Sequence, residues 1–430
     1  MNVKINENLV QKYFEDAIKD LQEVIKIPSF ASQPALNAPY GVATREVLEK
    51  TISICSKLGF KTFKDSENRY GYAEYGDGEK LFGIICHLDV VPSGDESKWT
   101  FPPFSGQIAN DYLYGRGSVD DKGPTILNIY AIKYWMDQNW KPKNYRIRLI
   151  FGLTEETTWE SIAHYIKNEE LPDLGYTPDG EWPLIYAEKR ILRFDLITRE
   201  NTSLIVNGGK AYNIVCDDVT IEDPTNNIKK TYSGLAAHGS TPEKGDNAIF
   251  KLVKEHPNYD LTVFKLIRSL WEKDFDLKPI FQGFKDESGA FSGNLGIIEV
   301  KDGYQRIGFD LRCPVTLSLE EIENKINSFI KSFDPNIEFK LYKHTKPIFL
   351  KQDTEYIQKL LKVYREVTGE KEAKPLAIGG GTYARAFDNV VAFGAAWDMD
   401  AMHTVDEKVS LADLKKTFLI YIRSMIEIID

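Results

Sequence analysis

KLFGIICHLDVVP, residues 80–92, decides the fold. Its first half is an unbroken apolar run that stops at His87, the pattern of a strand buried on both faces. RIRLIFGLTEE, residues 146–156, repeats the pattern and ends in carboxylates. Between them GPTILNIYAIKYWMDQN, residues 123–139, has the length and texture of a helix. Upstream, TREVLEKTISICSKLGF, residues 44–60, carries apolar residues at helical spacing and stops at Gly59. Strand, loop, helix, strand predicts an α/β domain with a mainly parallel sheet, whose ligands gather beyond the carboxyl ends of the strands. His87 and the Glu155–Glu156 pair fall at those ends.

From about Ile191 the texture changes. RILRFDLITRE (190–200), KAYNIVCDDVTIED (210–223) and GNLGIIEVKDGYQRIGFDLRCPV (293–315) alternate apolar and polar residues, as in strands exposed on one face. Helical stretches accompany them: DNAIFKLVKEH (246–256), TVFKLIRSLWEKDF (262–275) and LEEIENKINSFIKSF (319–333). The expected organisation is a first domain in two parts, 1–190 and 347–430, with an α+β lid domain, 191–346, inserted between them. The returning part holds DTEYIQKLLKVYREVTG (353–369), a glycine-rich loop, VVAFGAAW (390–397) and a terminal helix.

A chain of 430 residues exceeds what one core normally organises, and the formal charge of −10 argues against binding a phosphate backbone. Cys55, Cys86, Cys216 and Cys313 show no CxxC spacing and read as buried thiols suited to a reducing compartment. The first residues, MNVKINENLVQKYFEDAIKDL, read as a charged amphipathic helix rather than a signal peptide, and no apolar run has the length of a membrane span. A soluble cytoplasmic protein, with neither nucleic acid nor membrane as partner, is the expectation.

Four further segments join HLDVVP: GRGSVDDKG (115–123), GLTEETTWE (152–160), TPDGEW (177–182) and AMHTVDE (401–407). They supply His87, Asp120, Glu156, Asp179 and His403, the nitrogen and carboxylate donors that zinc-type ions take. If Asp120 bridges, each of two ions receives one histidine, one terminal carboxylate and the shared one, leaving room for a hydroxide that neutralises the remaining positive charge. Asp89, two residues after His87, is placed to orient the imidazole. Glu155 precedes the proposed ligand Glu156 and can face the water as general base.

These five segments resemble the dinuclear-zinc exopeptidase superfamily of aminoacylase, carboxypeptidase G and dipeptidase PepV, and are closest to the PepV-type dipeptidases. The resemblance implies a zinc-exopeptidase catalytic domain with a lid, and a dipeptidase acting on short peptides with a free C-terminal carboxylate. It pairs His87 with Asp179 and Glu156 with His403, puts Asp120 between them, and makes the Asp120–Asp121 bond cis. Asp89 and Glu155 take the catalytic-support and base positions. LAAHGSTPEKGDNAI (235–249) resembles the segment whose histidine steadies the carbonyl oxygen, which implies that role for His238. Asn213 in GGKAYNIV and Arg312 in FDLRCP resemble substrate-holding residues, the arginine suited to a carboxylate, against the alternative of an exposed strand residue. IGGGTYARAF (378–387) sets Gly380, Gly381 and Thr382 before an expected helix start, where backbone amides can meet an anion.

The cofactors implied are two divalent ions of the zinc type, with manganese and cobalt open to the same donors. N-acyl amino acid deacylation, of the aminoacylase or acetylornithine deacetylase type, uses the same chemistry and stays open, as does a non-catalytic peptide-binding homologue. Set beside the PepV-type and the dimeric members of the family it resembles, the length of the insert implies a monomer, with a homodimer still open. His164, His256 and His344 lack acidic partners at ligand spacing and read as surface or structural.

Overall fold

The computed structural model describes residues 5–271 and 275–429. The chain forms two compact units, one of Met1–Tyr186, Leu350–Leu376 and Thr382–Asp430, the other of Ala187–Phe349 and Ala377–Gly381.

The first unit is built on the two strands read from the sequence. Lys80–His87 is buried from Leu81 onward and runs parallel to Tyr145–Gly152 on one side and Leu174–Thr177 on the other. Val390–Ala392 extends this parallel centre beyond Leu174–Thr177. Antiparallel pairs flank it: Gly71–Tyr75 joins Tyr145–Gly152 and carries Lys61–Lys64 outside, while Ala392 pairs with Ile185 at the other side. A strand that no longer needs a solvated face carries apolar residues at every position, which is why these sequences do not alternate.

Helices cover the sheet. Lys122–Met136 is buried along almost its whole length and packs on Glu7–Ile25 and on Leu411–Ile429, whose buried faces repeat at helical spacing. Val42–Leu58 stops at Gly59, which holds φ +95°. Tyr176 stacks on Tyr421, and Trp182 fills the space beside Tyr364, Phe393 and Trp397. Among the described residues no helix is long and apolar enough to cross a membrane. All four cysteines are buried and none forms a disulfide.

The second unit is an antiparallel sheet with helices. Its strand order is Ile228–Ser233, Asp218–Asp223, Ile205–Gly208, Ser292–Lys301, Tyr304–Cys313, Arg190–Arg199 and Glu338–His344. Alternation is visible in Tyr304–Cys313, where Ile307, Phe309, Leu311 and Cys313 enter a core with Phe194 and the helices Ala248–Glu255, Thr262–Leu270 and Leu319–Phe333. The helix expected over 262–275 ends at Leu270; residues 272–274 lie outside the described residues.

Residues 210–216, expected as the start of a strand, form only an isolated bridge, between Ile214 and His238. The preceding strand ends at Gly208, and Gly209 turns the chain at φ +87°. A Cβ on Gly209 would stand 1.8 Å from the Gly296 carbonyl oxygen, so only glycine fits the turn. In the first unit, Tyr383–Ala386 is one 3-10 turn rather than the start of an α-helix.

Candidate metal centre

The parallel strands of the first unit bring their carboxyl ends to one place. His87 closes its strand in register with Gly152, Glu155 and Glu156 follow three and four residues beyond Gly152, and Asp179 lies two beyond Thr177. Asp120 stands just before the helix Lys122–Met136, and the Asp120–Asp121 peptide bond is cis. His403 sits in the loop between Met399–Ala401 and Lys408–Ser410 at φ +58°, a region histidine enters more readily than most residues.

Asp120 is the centre of the arrangement. Its Oδ1 lies 2.8 Å from His87 Nε2, and its Oδ2 lies 2.8 Å from His403 Nε2. His403 Nε2 also lies 3.0 Å from Glu156 Oε1, and His87 Nε2 lies 3.7 Å from Asp179 Oδ2. Donor atoms of His87, Asp120 and Glu156 all lie within 4.8 Å of one another, as do those of His87, Glu155 and Asp179. Tetrahedral bonds of about 2.0–2.1 Å set neighbouring donors roughly 3.3 Å apart, a value these separations straddle.

The electrostatics call for cations. Asp120, Asp179 and His87 are buried, whereas the His403 side chain is 53 % exposed. Burial, and then the charge of Asp120, push the Asp179 carboxyl well above the usual carboxylate range. Burial and the charge of Asp179 do the same for Glu155, and burial with the charge of Asp120 raises Glu156. Hydrogen bonds to Asp120 and Glu156 raise His403 to about 11. Burial opposes charge on His87, but hydrogen bonding to Asp120 and Asp89 and the nearby Asp120 and Asp179 charges outweigh it. Both imidazoles are driven towards cations because the site holds more negative charge than it can balance. Two dications would supply that balance, so the donor set fits them.

The surroundings hold these groups in place. His87 Nδ1 lies 3.0 Å from the Asp89 carbonyl oxygen and 3.5 Å from Asp89 Oδ1, so the carbonyl is its nearer partner. The Asp89 carboxylate accepts instead from two peptide groups, Glu155 N–H on Oδ1 and Glu156 N–H on Oδ2, each at 3.1 Å. Asp121 Oδ2 accepts from His87 N–H at 3.1 Å.

Sequence reasoning missed three further contributors. Tyr383 accepts from Thr154 N–H at 3.2 Å and presents its ring edge-on to His87, centroids 6.2 Å apart. Gly152 admits that ring, since a Cβ there would meet Tyr383 Cε2 at 2.3 Å. Arg116 and Glu407 form a buried pair beside Asp120 and His403 in the chain. Arg116 and Glu407 were within the quoted segments, and Arg116, a charged residue between Gly115 and Gly117, was the signal available.

The second unit carries the other candidates. His238 is exposed, with Nδ1 2.6 Å from Ser240 Oγ, and Gly239 N–H donates to the Asn213 carbonyl at 2.8 Å. Arg312 is not the exposed strand residue that was the alternative: it is 2 % exposed, with Nε donating to Asp310 Oδ1 and Nη1 to the Gly379 carbonyl. Gly380 is half-buried and Gly381 exposed. Thr382 belongs to the first unit, where its Oγ1 accepts from Ala384 N–H at 3.2 Å and so caps the 3-10 turn. His256 is structural, stacked on Tyr259 with Nε2 2.9 Å from Tyr232 Oη.

Comparison with known proteins agrees with this architecture. A Bacillus subtilis protein named "Putative dipeptidase YtjP" is 32 % identical over 96 % of this chain and 97 % of its own length. The fold matches an M20 family metallo-carboxypeptidase from Sulfolobus solfataricus, with TM-score 0.60 and 17 % identity over 96 % of this chain and 99 % of that one. It equally matches the dipeptidase Dug1p from Saccharomyces cerevisiae, with TM-score 0.60 and 15 % identity over 97 % of both chains. Residues 83–427 match the sequence profile of peptidase family M20/M25/M40, and the chain belongs to that family.

Proposed function

We propose that this metallopeptidase cleaves dipeptides with a free C-terminal carboxylate, using two divalent cations. The observation carrying the reading is Asp120, whose two carboxylate oxygens each meet the Nε2 of a different histidine at 2.8 Å. His87 and Asp179 would hold one cation with Asp120, and Glu156 and His403 the other. Zinc suits these donors, and manganese or cobalt can take them. Such ions, when bound, make a shared water acidic near neutral pH and polarise the scissile carbonyl.

The chain's own residues supply the rest. Glu155, whose pKa burial and Asp179 hold high, takes a proton from the attacking water and passes it to the leaving amine. Asp89 steadies both glutamates by accepting their peptide N–H groups. By the resemblance of its segment, His238 would donate to the oxygen that gains charge in the tetrahedral state. By the same resemblance, Asn213, Arg312, Gly380, Gly381 and Thr382 would be the substrate-holding residues. Asp310 and the Gly379 carbonyl already orient the Arg312 guanidinium. The dipeptidase names of relatives spanning nearly the whole chain support a dipeptide over an acylated amino acid. We place the enzyme in the cytoplasm as a monomer.

The test compares Ala-Ala with N-acetyl-alanine under added zinc or manganese. Faster cleavage of the dipeptide is expected. Faster release from the acetylated compound would make the chain a deacylase.

A further inference from the structure

The six residues after Leu153 form a closed loop in the first unit. Thr157 N–H and Trp159 N–H both reach the Thr154 carbonyl, at 3.4 and 2.9 Å, and the helix Glu160–Asn168 begins directly afterwards. Trp159 closes the loop at φ +62°, ψ +12°. That left-handed conformation costs glycine nothing and asparagine little, but a bulky side chain rarely adopts it. Backbone geometry alone would select a small residue here. Core filling does not explain the indole either, because Trp159 is only half-buried.

What the indole does is visible in its contacts. Its Nε1–H donates to the Glu155 carbonyl at 2.8 Å. Its ring meets Tyr383 edge to face, centroids 5.4 Å apart, and Tyr383 in turn accepts from Thr154 N–H. On the other side of Glu155, its peptide N–H donates to Asp89 Oδ1 at 3.1 Å. Both peptide groups of Glu155 are thus tied by side chains, Asp89 before it and Trp159 after it, outside any helix or strand. A residue held at both peptide groups has little freedom to swing its Cα–Cβ vector.

We infer that Trp159 is a positioning residue for Glu155, fixing the aim of its carboxylate through the hydrogen bond from indole Nε1 to the Glu155 carbonyl. The inference rests on the reading of Glu155 as the base. A displacement of about 1 Å in such a group can cost roughly a hundredfold in rate.

Two variants separate the hydrogen bond from the ring. Trp159→Phe keeps an aromatic face for Tyr383 and removes the donor; Trp159→Gly suits the backbone and removes both. Each is assayed for kcat and KM on Ala-Ala, for zinc binding by calorimetric titration of chelator-stripped protein, and for thermal midpoint, beside Glu155→Gln. The expected result for Trp159→Phe is a kcat lowered about tenfold or more, with KM and zinc affinity within twofold of the parent. Trp159→Gly should lower kcat at least as far while still binding zinc, which covers the case in which the phenylalanine variant does not fold. A kcat within twofold of the parent in both variants, with Glu155→Gln inactive, would overturn the tether and leave Glu155 as base. Zinc affinity lost in parallel with kcat would overturn it too, in favour of a merely structural role. Parental turnover in Glu155→Gln would instead remove the reading on which the inference stands.

Discussion

Glu407 Oε2 lies 2.8 Å from Arg116 Nη1, and both side chains are buried, at 1 % and 2 % exposure. The carboxylate also accepts the N–H groups of Gly117 and Val119, at 3.1 and 2.9 Å, just before Asp120. Arg116 Nη2 donates to the carbonyls of Pro92 and Thr404, at 3.3 and 3.0 Å. One ion pair therefore joins the segment leading to Asp120, the residue after His403, and the end of HLDVVP. Burial pushes the Glu407 carboxyl up while Arg116 and the two N–H groups pull it down.

Glu407→Gln leaves the Arg116 charge buried without its counter-charge, and breaking such a pair costs about 3–5 kcal/mol. The expected outcome is a lower thermal midpoint by calorimetry and zinc affinity weakened about 10- to 100-fold, the range found when groups that orient metal ligands are removed. Parental zinc affinity in the variant would show that the pair serves folding alone.

Removing divalent ions should destabilise the chain, because Asp120, Glu155, Glu156 and Asp179 then face one another with only two imidazoles among them. Ligand at about 100 times its dissociation constant contributes roughly 2.7 kcal/mol to the folded state. Thermal melts should therefore fall with chelator and climb again with added zinc. A midpoint indifferent to both would count against a cation site.

Asp65 stabilises the turn between Lys61–Lys64 and Gly71–Tyr75. Its carboxylate accepts from Arg69 Nε and Nη2 at 2.8 and 2.9 Å, and from the Glu67 and Arg69 N–H groups, each at 3.1 Å. The Arg69 hydrogen bonds lead in holding its carboxyl below the usual carboxylate range, against the effect of burial. A depressed carboxylate contributes its stability fully above the unfolded pKa and loses it as pH falls through the folded value. Asp65→Asn should cost about 2 kcal/mol at pH 7, the scale of hydrogen bonds to a charged group, and the difference from the parent should shrink below about pH 4. Urea unfolding at pH 7 and pH 3 checks this; an equal deficit at both would refute it.

Phe309 lies at the centre of the second unit's core, fully buried and stacked on Phe194 with centroids 4.7 Å apart. Phe309→Ala should cost about 3–5 kcal/mol. Loss of that size would appear as a lower unfolding midpoint in urea, and a change under 1 kcal/mol would mean the cavity collapses without penalty.

Much of this was readable before any coordinates. The parallel centre followed from two uninterrupted apolar runs, and because ligands collect beyond such strands, the positions of His87 and of Glu155–Glu156 were evident. What stayed hidden depends on long-range packing. Asp89 was placed by strand alternation facing the imidazole, yet its carboxylate takes the peptide N–H groups 66 and 67 residues further on. That Arg312 is buried rather than a solvated strand residue, the alternative to a substrate-holding role, could not be read locally, because its partner, the Gly379 carbonyl, is 67 residues away. Trp159 has no periodicity to reveal it, since its role depends on a left-handed backbone that aromatic residues seldom signal. The strand expected from 210 begins only at Asp218, because the chain has just turned at Gly209 and the apolar residues that follow find only the isolated bridge of Ile214 to His238.

Under the proposed function, two cations would share the carboxylate of Asp120. Anomalous diffraction at the zinc edge, from crystals of the full chain grown with zinc, measures it directly. Two peaks about 3.5–4 Å apart are expected, the first beside His87 and the second beside His403. A single peak, or peaks that touch neither histidine, would contradict that arrangement.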